Sequence, residues 1–175
     1  MKARAYWIEG PWRGRLAIVP RPRGGDWLDG EVFGWTESGI DVVVSFLTPE
    51  EAAEFALETE GKVCEAHGIR FVSFPIPDQE VPVSKQAAAD LLLDLANALA
   101  EGKTVAVHCR QSVGRSAMIA AALLVAAGQE PRIAFEKIGK ARGCKVPETA
   151  EQERWVANFA SELATFQLSE ARETS

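Results

Sequence analysis

A cysteine and an arginine lie six positions apart, between an apolar run and a stretch of small apolar residues. The run Thr104–His108 is followed by Cys109, and Arg115 opens the second stretch, which continues to Ala127. The pattern predicts a buried strand, a short loop and a helix. The end of such a strand is where α/β sheets bind their ligands. A thiolate at this position is a nucleophile, so the pattern predicts covalent chemistry on Cys109.

The loop between these two residues has the composition of an oxyanion cradle. Its backbone N–H groups can all turn toward one anion, and the positive end of the following helix lies beside them. The same groups stabilise an anionic sulfur and a bound phosphate-like or sulfate-like oxyanion. The residues predicted to bind phosphate are Arg110, Gln111, Ser112, Val113, Gly114 and Arg115.

Four residues in and beside this loop have predicted individual roles. Arg115 can place its forked guanidinium on two phosphate oxygens, and Gly114 lets the backbone bend where a side chain would collide. Ser116 can donate a hydrogen bond to the sulfur and stabilise it as a leaving group. His108 can orient the loop through a ring N–H.

The same cysteine–arginine spacing occurs a second time, at Cys64 and Arg70. No strand precedes Cys64, and Arg70 opens a strand rather than a helix, so we interpret Cys64 as a small packed residue. Cys144 is interpreted as an ordinary loop cysteine, and a redox partnership with Cys109 is the alternative.

Predicted strands and helices alternate through most of the chain. Buried strands are predicted at 41–47, 70–76 and 104–108, because these runs are rich in β-branched and apolar residues. Thr48 and Ser84 are predicted to cap the helices between them. The fold class is therefore α/β, with a central, mostly parallel sheet of four to five strands flanked by helices.

The whole chain, residues 1–175, is predicted to form one domain with a sizeable core. Segment 1–35 lacks clear periodicity and is predicted to be irregular, although the short run Leu16–Val19 is compatible with a strand and Asp26–Thr36 with a short helix or turn. The C-terminal third is predicted to be helical, ending in a frayed tail at residues 168–175.

The net charge, the apolar runs and the cysteine and histidine content indicate which partners and which cellular location to expect. The net charge of −6 argues against a generic nucleic-acid or membrane-surface protein, so no specific nucleic acid is expected. The longest apolar run, Ala117–Ala127, is too short to span a bilayer, and no secretory signal is recognised. Three cysteines are too few for a disulfide framework, which favours a reducing, cytoplasmic location. His67 and His108 have no carboxylates at ligand spacing, so neither a metal site nor a cofactor is predicted.

The segment His108–Ser116 resembles the signature loop of the cysteine-dependent protein tyrosine phosphatases, particularly their compact dual-specificity branch. In that family a general-acid aspartate lies on a loop after an upstream strand, and Asp78, 31 residues before Cys109, matches it. A further similarity runs from Gly143 to Gln152, where related small phosphatases place a glutamine near the hydrolytic water. The resemblance covers roughly residues 40–165 and implies the fold of the phosphotyrosine protein phosphatases.

The resemblance implies two-step hydrolysis of phosphomonoesters, above all of protein phosphotyrosine, with phosphoserine and phosphothreonine as further substrates. Cys109 attacks phosphorus, Arg115 and the loop amides hold the equatorial oxygens, and Asp78 protonates the departing oxygen before acting as base. Gln152 positions the water of the second step. The alternative interpretation of Gln152, as a helix-cap or surface amide, stays open.

Other functions stay open as well. A rhodanese-like sulfurtransferase also uses a loop cysteine, although Asp78 and Arg115 argue against it. A non-catalytic phosphate-binding module would use the same loop without turnover. The expected partner is a phosphorylated protein or another phosphomonoester, including a phosphoinositide or an RNA 5′-phosphate, because the sequence does not fix the depth of the pocket.

Overall fold

We describe the protein from a computed structural model, which places residues 3–173 and describes side chains for residues 3–164. The strands are β1 (Tyr6–Ile8), β2 (Arg15–Ile18), β3 (Val42–Ser45), β4 (Arg70–Ser73) and β5 (Thr104–His108). The α-helices are α1 (Leu28–Glu37), α2 (Pro49–Glu54), α3 (Glu60–Ala66), α4 (Lys85–Ala100), α5 (Arg115–Ala126), α6 (Pro131–Arg142) and α7 (Ala150–Glu173).

The five strands form one sheet in the order β1-β2-β5-β3-β4. Only the β1–β2 pair is antiparallel; the other neighbouring pairs are parallel. The α/β class and the mostly parallel sheet of four to five strands are thereby confirmed. Because β2, β5, β3 and β4 run in the same direction, their carboxyl ends meet at one edge, where Cys109 follows β5.

Both faces of the sheet are buried, as expected for parallel strands. Val42 and Val44 of β3 pack on the same side as α4, α5 and α6, whereas Val43 packs on the side of α1 and α3. α5 lies at the centre of the helical layer on the Val42 and Val44 side of the sheet, and every residue from Arg115 to Val125 is buried. A helix that is apolar nearly all round is stable only in such a place, between the sheet and other helices.

The predicted helix caps are present. Thr48 Oγ1 accepts a hydrogen bond from the Glu51 N–H at 3.3 Å, and the Glu51 carboxylate accepts one from the Thr48 N–H at 3.0 Å. This reciprocal capping box fixes the start of α2 next to the end of β3. Ser84 Oγ accepts from the Ala87 N–H at 3.1 Å and caps α4.

The N-terminal segment 1–35 is not irregular as a whole, so that prediction is wrong for the described residues. The strand and the short helix that the sequence allowed at 16–19 and 26–36 are present as β2 and α1. It contributes β1, β2 and most of α1, and Leu16, Ala17 and Ile18 of β2 are fully buried. The strands are only three and four residues long. Such short strands carry little periodicity of their own. β2 is held in the sheet by pairing with β5, and β1 by pairing with β2.

Other boundaries differ from the predictions by a few residues. β3 and β4 end at Ser45 and Ser73, two and three residues earlier than predicted. The last helix continues to Glu173, where the sequence predicted a frayed tail from residue 168; residues 174 and 175 lie outside the described part. Within the described part, no helix combines the length and apolar character needed to cross a membrane.

Candidate active site

Cys109 lies directly after β5, at the edge where the parallel strands end. Only 2% of the residue is exposed. Residues 110–114 form a loop, and α5 begins at Arg115. Strand, cysteine, loop and helix therefore follow one another in the predicted order.

Two arginines hold the loop carbonyl groups from outside. Arg21 Nη1 donates to the carbonyl oxygen of Arg110 at 2.7 Å. Arg142 donates through Nε to the carbonyl of Ser112 at 2.9 Å and through Nη2 to that of Gln111 at 3.3 Å. Because the carbonyl and N–H of a trans peptide point in opposite directions, the N–H groups of these peptides face away from the two arginines. Sequence reasoning linked neither arginine to the loop.

Ser112 anchors the middle of the loop to the sheet. It adopts a left-handed backbone conformation, with φ of 57°, which costs a non-glycine residue about 1–2 kcal/mol. Its hydroxyl donates to the carbonyl of Val19, just past β2, at 2.7 Å. On either side, Gln111 is exposed and Val113 packs against the core. The buried hydrogen bond offsets part of the backbone cost and fixes the turn of the loop.

His108 points beneath the loop rather than into it. Its Nε2 lies 2.6 Å from Oε1 of Glu60 in α3, and both residues are buried. Its ring stacks on Trp35, with centroids 6.1 Å apart. Its Nδ1 has no hydrogen-bond partner among the described residues. Neither ring nitrogen bonds to a loop residue in the described part of the chain, so the loop-orienting role of His108 stays a prediction.

The Arg115 guanidinium is buried at the end of the sheet, with 1% of the residue exposed. It forks onto Glu51, with Nη1 at 2.7 Å and Nη2 at 2.9 Å from the two carboxylate oxygens. Nη1 also donates to the carbonyls of Ile76 at 2.7 Å and Phe46 at 3.2 Å. Nη2 donates to Asp78 Oδ1 at 3.1 Å. Nε makes no hydrogen bond to a described residue, and Nη2 shares its outer N–H with Asp78, so the Nε/Nη2 edge can bind an oxyanion when Asp78 gives up that hydrogen bond.

Glu51 is a site residue that sequence reasoning treated only as a helix cap. It is buried, and its carboxylate accepts hydrogen bonds from both Arg115 and Thr48. Burial alone raises the pKa of the Glu51 carboxyl, but the hydrogen bonds from Arg115 and Thr48 outweigh burial, so this pKa lies below its ordinary value. Glu51 is therefore ionised at neutral pH and fixes the orientation of Arg115.

The variant Glu51→Gln is expected to lose about 3 kcal/mol of unfolding free energy at neutral pH, because it removes the carboxylate from a buried ion pair. Since the folded-state pKa of Glu51 is depressed, the Glu51–Arg115 ion pair contributes its full share of the unfolding free energy above the ordinary glutamate pKa of about 4.3. It is lost as the pH falls through the folded-state pKa. The stability difference between parent and variant should therefore shrink in acid, as urea denaturation at several pH values would measure.

The matched control for this experiment is Glu50→Gln, which changes an exposed carboxylate one position away. We expect it to alter stability by less than about 0.5 kcal/mol. A stability loss in Glu51→Gln that stays constant from neutral to acid pH would contradict the ion-pair explanation.

Asp78 lies on the loop after β4, and 45% of its side chain is exposed. Its Oδ1 accepts a hydrogen bond from Arg115, so the predicted acid and the predicted phosphate-binding arginine lie side by side. The carboxylate is thus attached to the site and still open to solvent. A general acid must lie within hydrogen-bond reach of the group that it protonates, and Asp78 lies beside the arginine predicted to bind the phosphate.

Gln152 is fully buried and lies against the loop. Its Oε1 accepts hydrogen bonds from the N–H groups of Glu148 and Thr149, and its Nε2 donates to the carbonyl of Glu80 at 3.1 Å. A Cβ added to Gly114 would lie 3.1 Å from both terminal amide atoms of Gln152. The start of α7, the Asp78 loop and the phosphate loop therefore meet at this amide.

Glu148 is a second acidic residue that sequence reasoning missed. Its carboxyl carbon would lie 3.2 Å from a Cβ at Gly114. Burial and the charge of Asp78 raise the pKa of Glu148. The signal available in the sequence was its place four residues before Gln152, in a stretch already assigned to the site.

The remaining predicted residues are placed as follows. Ser116 is fully buried, but its hydroxyl has no hydrogen-bond partner among the described residues, so the structure shows no bond to the sulfur. Cys64 is buried in α3, where burial raises the pKa of its thiol to about 12. Arg70 pairs with Asp94 instead. Cys144 is exposed and unpaired. The described residues contain no cluster of side chains suited to a metal ion.

Residues 30–129 match the family model described as "Tc-R-P: Polymorphic toxin system, DSP-PTPase phosphatase". Among curated proteins, cyclin-dependent kinase inhibitor 3 of Rattus norvegicus is 27% identical over 131 residues, which are 74% of this chain. The chain spans 61% of the length of that relative.

Solved structures share the fold. The crystal structure of Tk-PTP in its active form is 26% identical, with a TM-score of 0.72 over 90% of this chain and 96% of that chain. Kinase associated phosphatase, with its catalytic-site cysteine replaced by serine, is 18% identical and matches with a TM-score of 0.82. That match covers 94% of this chain and 97% of the other.

Proposed function

This chain belongs to the DSP-PTPase phosphatase family of polymorphic toxin systems, and from that premise we propose that it hydrolyses phosphomonoesters through a cysteinyl-phosphate on Cys109. The observation that carries the proposal is the position of Arg115. Its guanidinium lies at the end of the nucleophile loop, is fixed by Glu51 and contacts Asp78. The Arg115 guanidinium thus lies next to both the predicted phosphate site and the predicted general acid.

In the first step, the Cys109 thiolate forms a bond to phosphorus while the bond from phosphorus to the ester oxygen breaks. The loop N–H groups and the Nε/Nη2 edge of Arg115 hold the three equatorial oxygens, whose charge they stabilise most strongly in the transition state. Asp78 donates its proton to the departing oxygen. The buried hydroxyl of Ser116, which has no hydrogen-bond partner among the described residues, is available to the sulfur.

In the second step, water attacks the cysteinyl-phosphate, and Asp78 takes the proton of that water. The Gln152 amide, buried against Gly114, positions the water. Cys109 leaves as the thiolate, and inorganic phosphate is released. His108 and Glu60 act only indirectly, by fixing the end of β5 beneath the loop.

We take the substrate to be a phosphotyrosyl protein, with phosphoserine and phosphothreonine as further substrates, and the chain as one catalytic domain. Three free cysteines, one of them the nucleophile, need a reducing environment, so we place the enzyme in the cytoplasm. The test is turnover of a phosphotyrosyl peptide, a phosphoseryl peptide and an aryl phosphate. Activity on thiosulfate, without release of phosphate from any of the three, would overturn the proposal in favour of a sulfurtransferase.

The variant Asp78→Asn is expected to lower kcat by about 10²–10⁴-fold on phenyl phosphate, which has a poor leaving group. The loss should be smaller on p-nitrophenyl phosphate, because that leaving group departs without a proton. The exposed carboxylate of Glu80, on the same loop, supplies the control Glu80→Gln. Equal losses on both substrates would remove Asp78 from the role of general acid.

A further inference from the structure

A groove of about 530 Å³ is formed by α6, α7 and the segment that connects them. Its apolar lining includes Phe135 from α6, Val146 from the connecting segment and Ala157 from α7. None of the residues assigned above to the phosphate loop or to proton transfer lines this groove in the described part of the chain. A mostly apolar concavity of about 300–1,000 Å³ with a few polar groups is typical of a small-molecule site.

Charged side chains line the same groove and leave it with an excess of one positive charge. Arg132 and Glu136 pair with each other. Lys140, Lys145 and Glu153 take part in no ion pair among the described residues. Two unpaired cations therefore face one unpaired carboxylate, although the chain as a whole carries a net charge of −6. A ligand with one negative charge balances this local excess.

We propose that this groove binds a long-chain alkyl carboxylate, an amphiphile with one negative charge. Its alkyl chain packs on Phe135, Val146 and Ala157, and its carboxylate pairs with Lys140 and Lys145. Burial of methylene groups supplies the affinity, and the lysines select the sign of the head group. This inference does not depend on the proposed function, because binding in the groove uses none of the catalytic residues.

The size of the groove favours one small amphiphile over a protein partner or a membrane. Ten residues line the groove, whereas a stable protein interface involves about 20–30 residues on each side. A membrane rich in anionic head groups would be repelled by the net charge of −6. A single monoanion from solution needs only the local excess of positive charge at the groove.

The elements that form the groove also support the phosphate loop. Val146 lines the groove, and six residues later Gln152 lies against Gly114 of the loop. On α6, Lys140 lines the groove, and Arg142 donates to the loop carbonyls. The groove and the phosphate loop are thus neighbouring anion sites with different linings. The experiment therefore has to show at which of the two a carboxylate binds.

The experiment titrates decanoate, decanol and decylammonium into the protein by isothermal titration calorimetry, below the concentrations at which they form micelles. We expect decanoate to bind about fivefold more tightly than decanol, and decylammonium to bind most weakly. Each methylene added from octanoate to dodecanoate should strengthen binding about two- to fourfold. Inorganic phosphate competes for the phosphate loop only, so at constant ionic strength it should leave the Kd of decanoate within about twofold.

Two variants test the position of the site. Ala157→Phe fills the groove from an exposed position of α7 and should weaken decanoate binding about tenfold or more. The matched control Ala164→Phe makes the same change at an exposed position two turns later on that helix, outside the groove, and should leave the Kd within about twofold. The double variant Lys140→Gln, Lys145→Gln should bind decanoate no better than decanol. Its control is Lys137→Gln, on α6 but outside the groove.

Thermal unfolding without ligand verifies that each variant is folded. The proposal is overturned if decylammonium binds as well as decanoate, if phosphate displaces decanoate, or if Ala157→Phe and Ala164→Phe weaken binding equally. Binding to anionic lipid vesicles without binding of monomeric decanoate overturns it as well. Because these titrations involve no turnover, decanoate binding in the groove of a protein that hydrolyses no phosphomonoester would refute the proposed function alone.

Discussion

Cys109→Ser is expected to reduce turnover of an aryl phosphate by about 10⁴-fold or more, because no other group in the loop can form the covalent intermediate. A serine hydroxyl at this position stays protonated near neutral pH, whereas the loop amides and the helix end are arranged to stabilise an anionic sulfur. Steady-state kinetics would measure the loss. Mass spectrometry after acid quenching should find phosphate on the peptide containing Cys109 in the parent only.

The control is Cys144→Ser, which replaces an exposed cysteine with the same change of atom. It should leave turnover within about twofold of the parent, as expected of a surface substitution. Binding of phosphate by Cys109→Ser is a second control, since this variant keeps Arg115 and the loop carbonyl contacts of Arg21 and Arg142. Persistent turnover in Cys109→Ser, or a phosphorylated residue other than Cys109 in the parent, contradicts the mechanism.

The local part of this site was predictable because it depends on short stretches of sequence. β5 begins and ends where its apolar run does, and the loop after it is short enough for its composition to define it. Thr48 and Glu51 were recognised as a capping box from their spacing alone, and the structure contains that box. Strand ends, caps and the start of α5 all follow from interactions within a few residues.

The partners of the catalytic loop were not predictable in this way. Arg21 and Arg142 reach the loop across 89 and 30 residues, and Glu51 meets Arg115 across 64. Such contacts depend on strand order, which placed β2 beside β5. Because β1 and β2 are short, segment 1–35 was predicted to be irregular, and its arginines were not linked to the loop. Charged residues near strand ends become informative only once the sheet order is known.

Glu51 makes both local contacts, which were predictable, and a long-range contact, which was not. Its backbone and side chain start α2, which is a local task, and the same carboxylate fixes Arg115, which is a long-range one. Burial alone would lower the pKa of Arg115, but the bonds from Glu51 and the charge of Cys109 raise it, so the guanidinium stays charged. A residue that looks structural in the sequence thereby determines which edge of the arginine faces the nucleophile.

Arg115→Lys is expected to lower kcat/KM by about 10²–10³-fold, the loss that follows removal of a preorganised donor from an oxyanion site. A lysine ammonium is a single point charge on a flexible stem. The ammonium can pair with Glu51 or bind the oxyanion. It cannot do both at once, whereas the guanidinium directs one edge to Glu51 and has a second edge for the oxyanion. Both kcat and the affinity for inorganic phosphate should fall, which inhibition kinetics would measure beside turnover.

The matched control is Arg132→Lys, which makes the same change at an exposed ion pair with Glu136 at the start of α6. Thermal unfolding separates a catalytic loss from a folding loss, since breaking the buried Arg115 pair also lowers stability. A double-mutant cycle with Glu51→Gln then measures the coupling: if Glu51 acts by orienting Arg115, the losses in turnover are far from additive. Near-parental turnover of Arg115→Lys, or additive losses in the cycle, would show that the fork is not what holds the phosphoryl group.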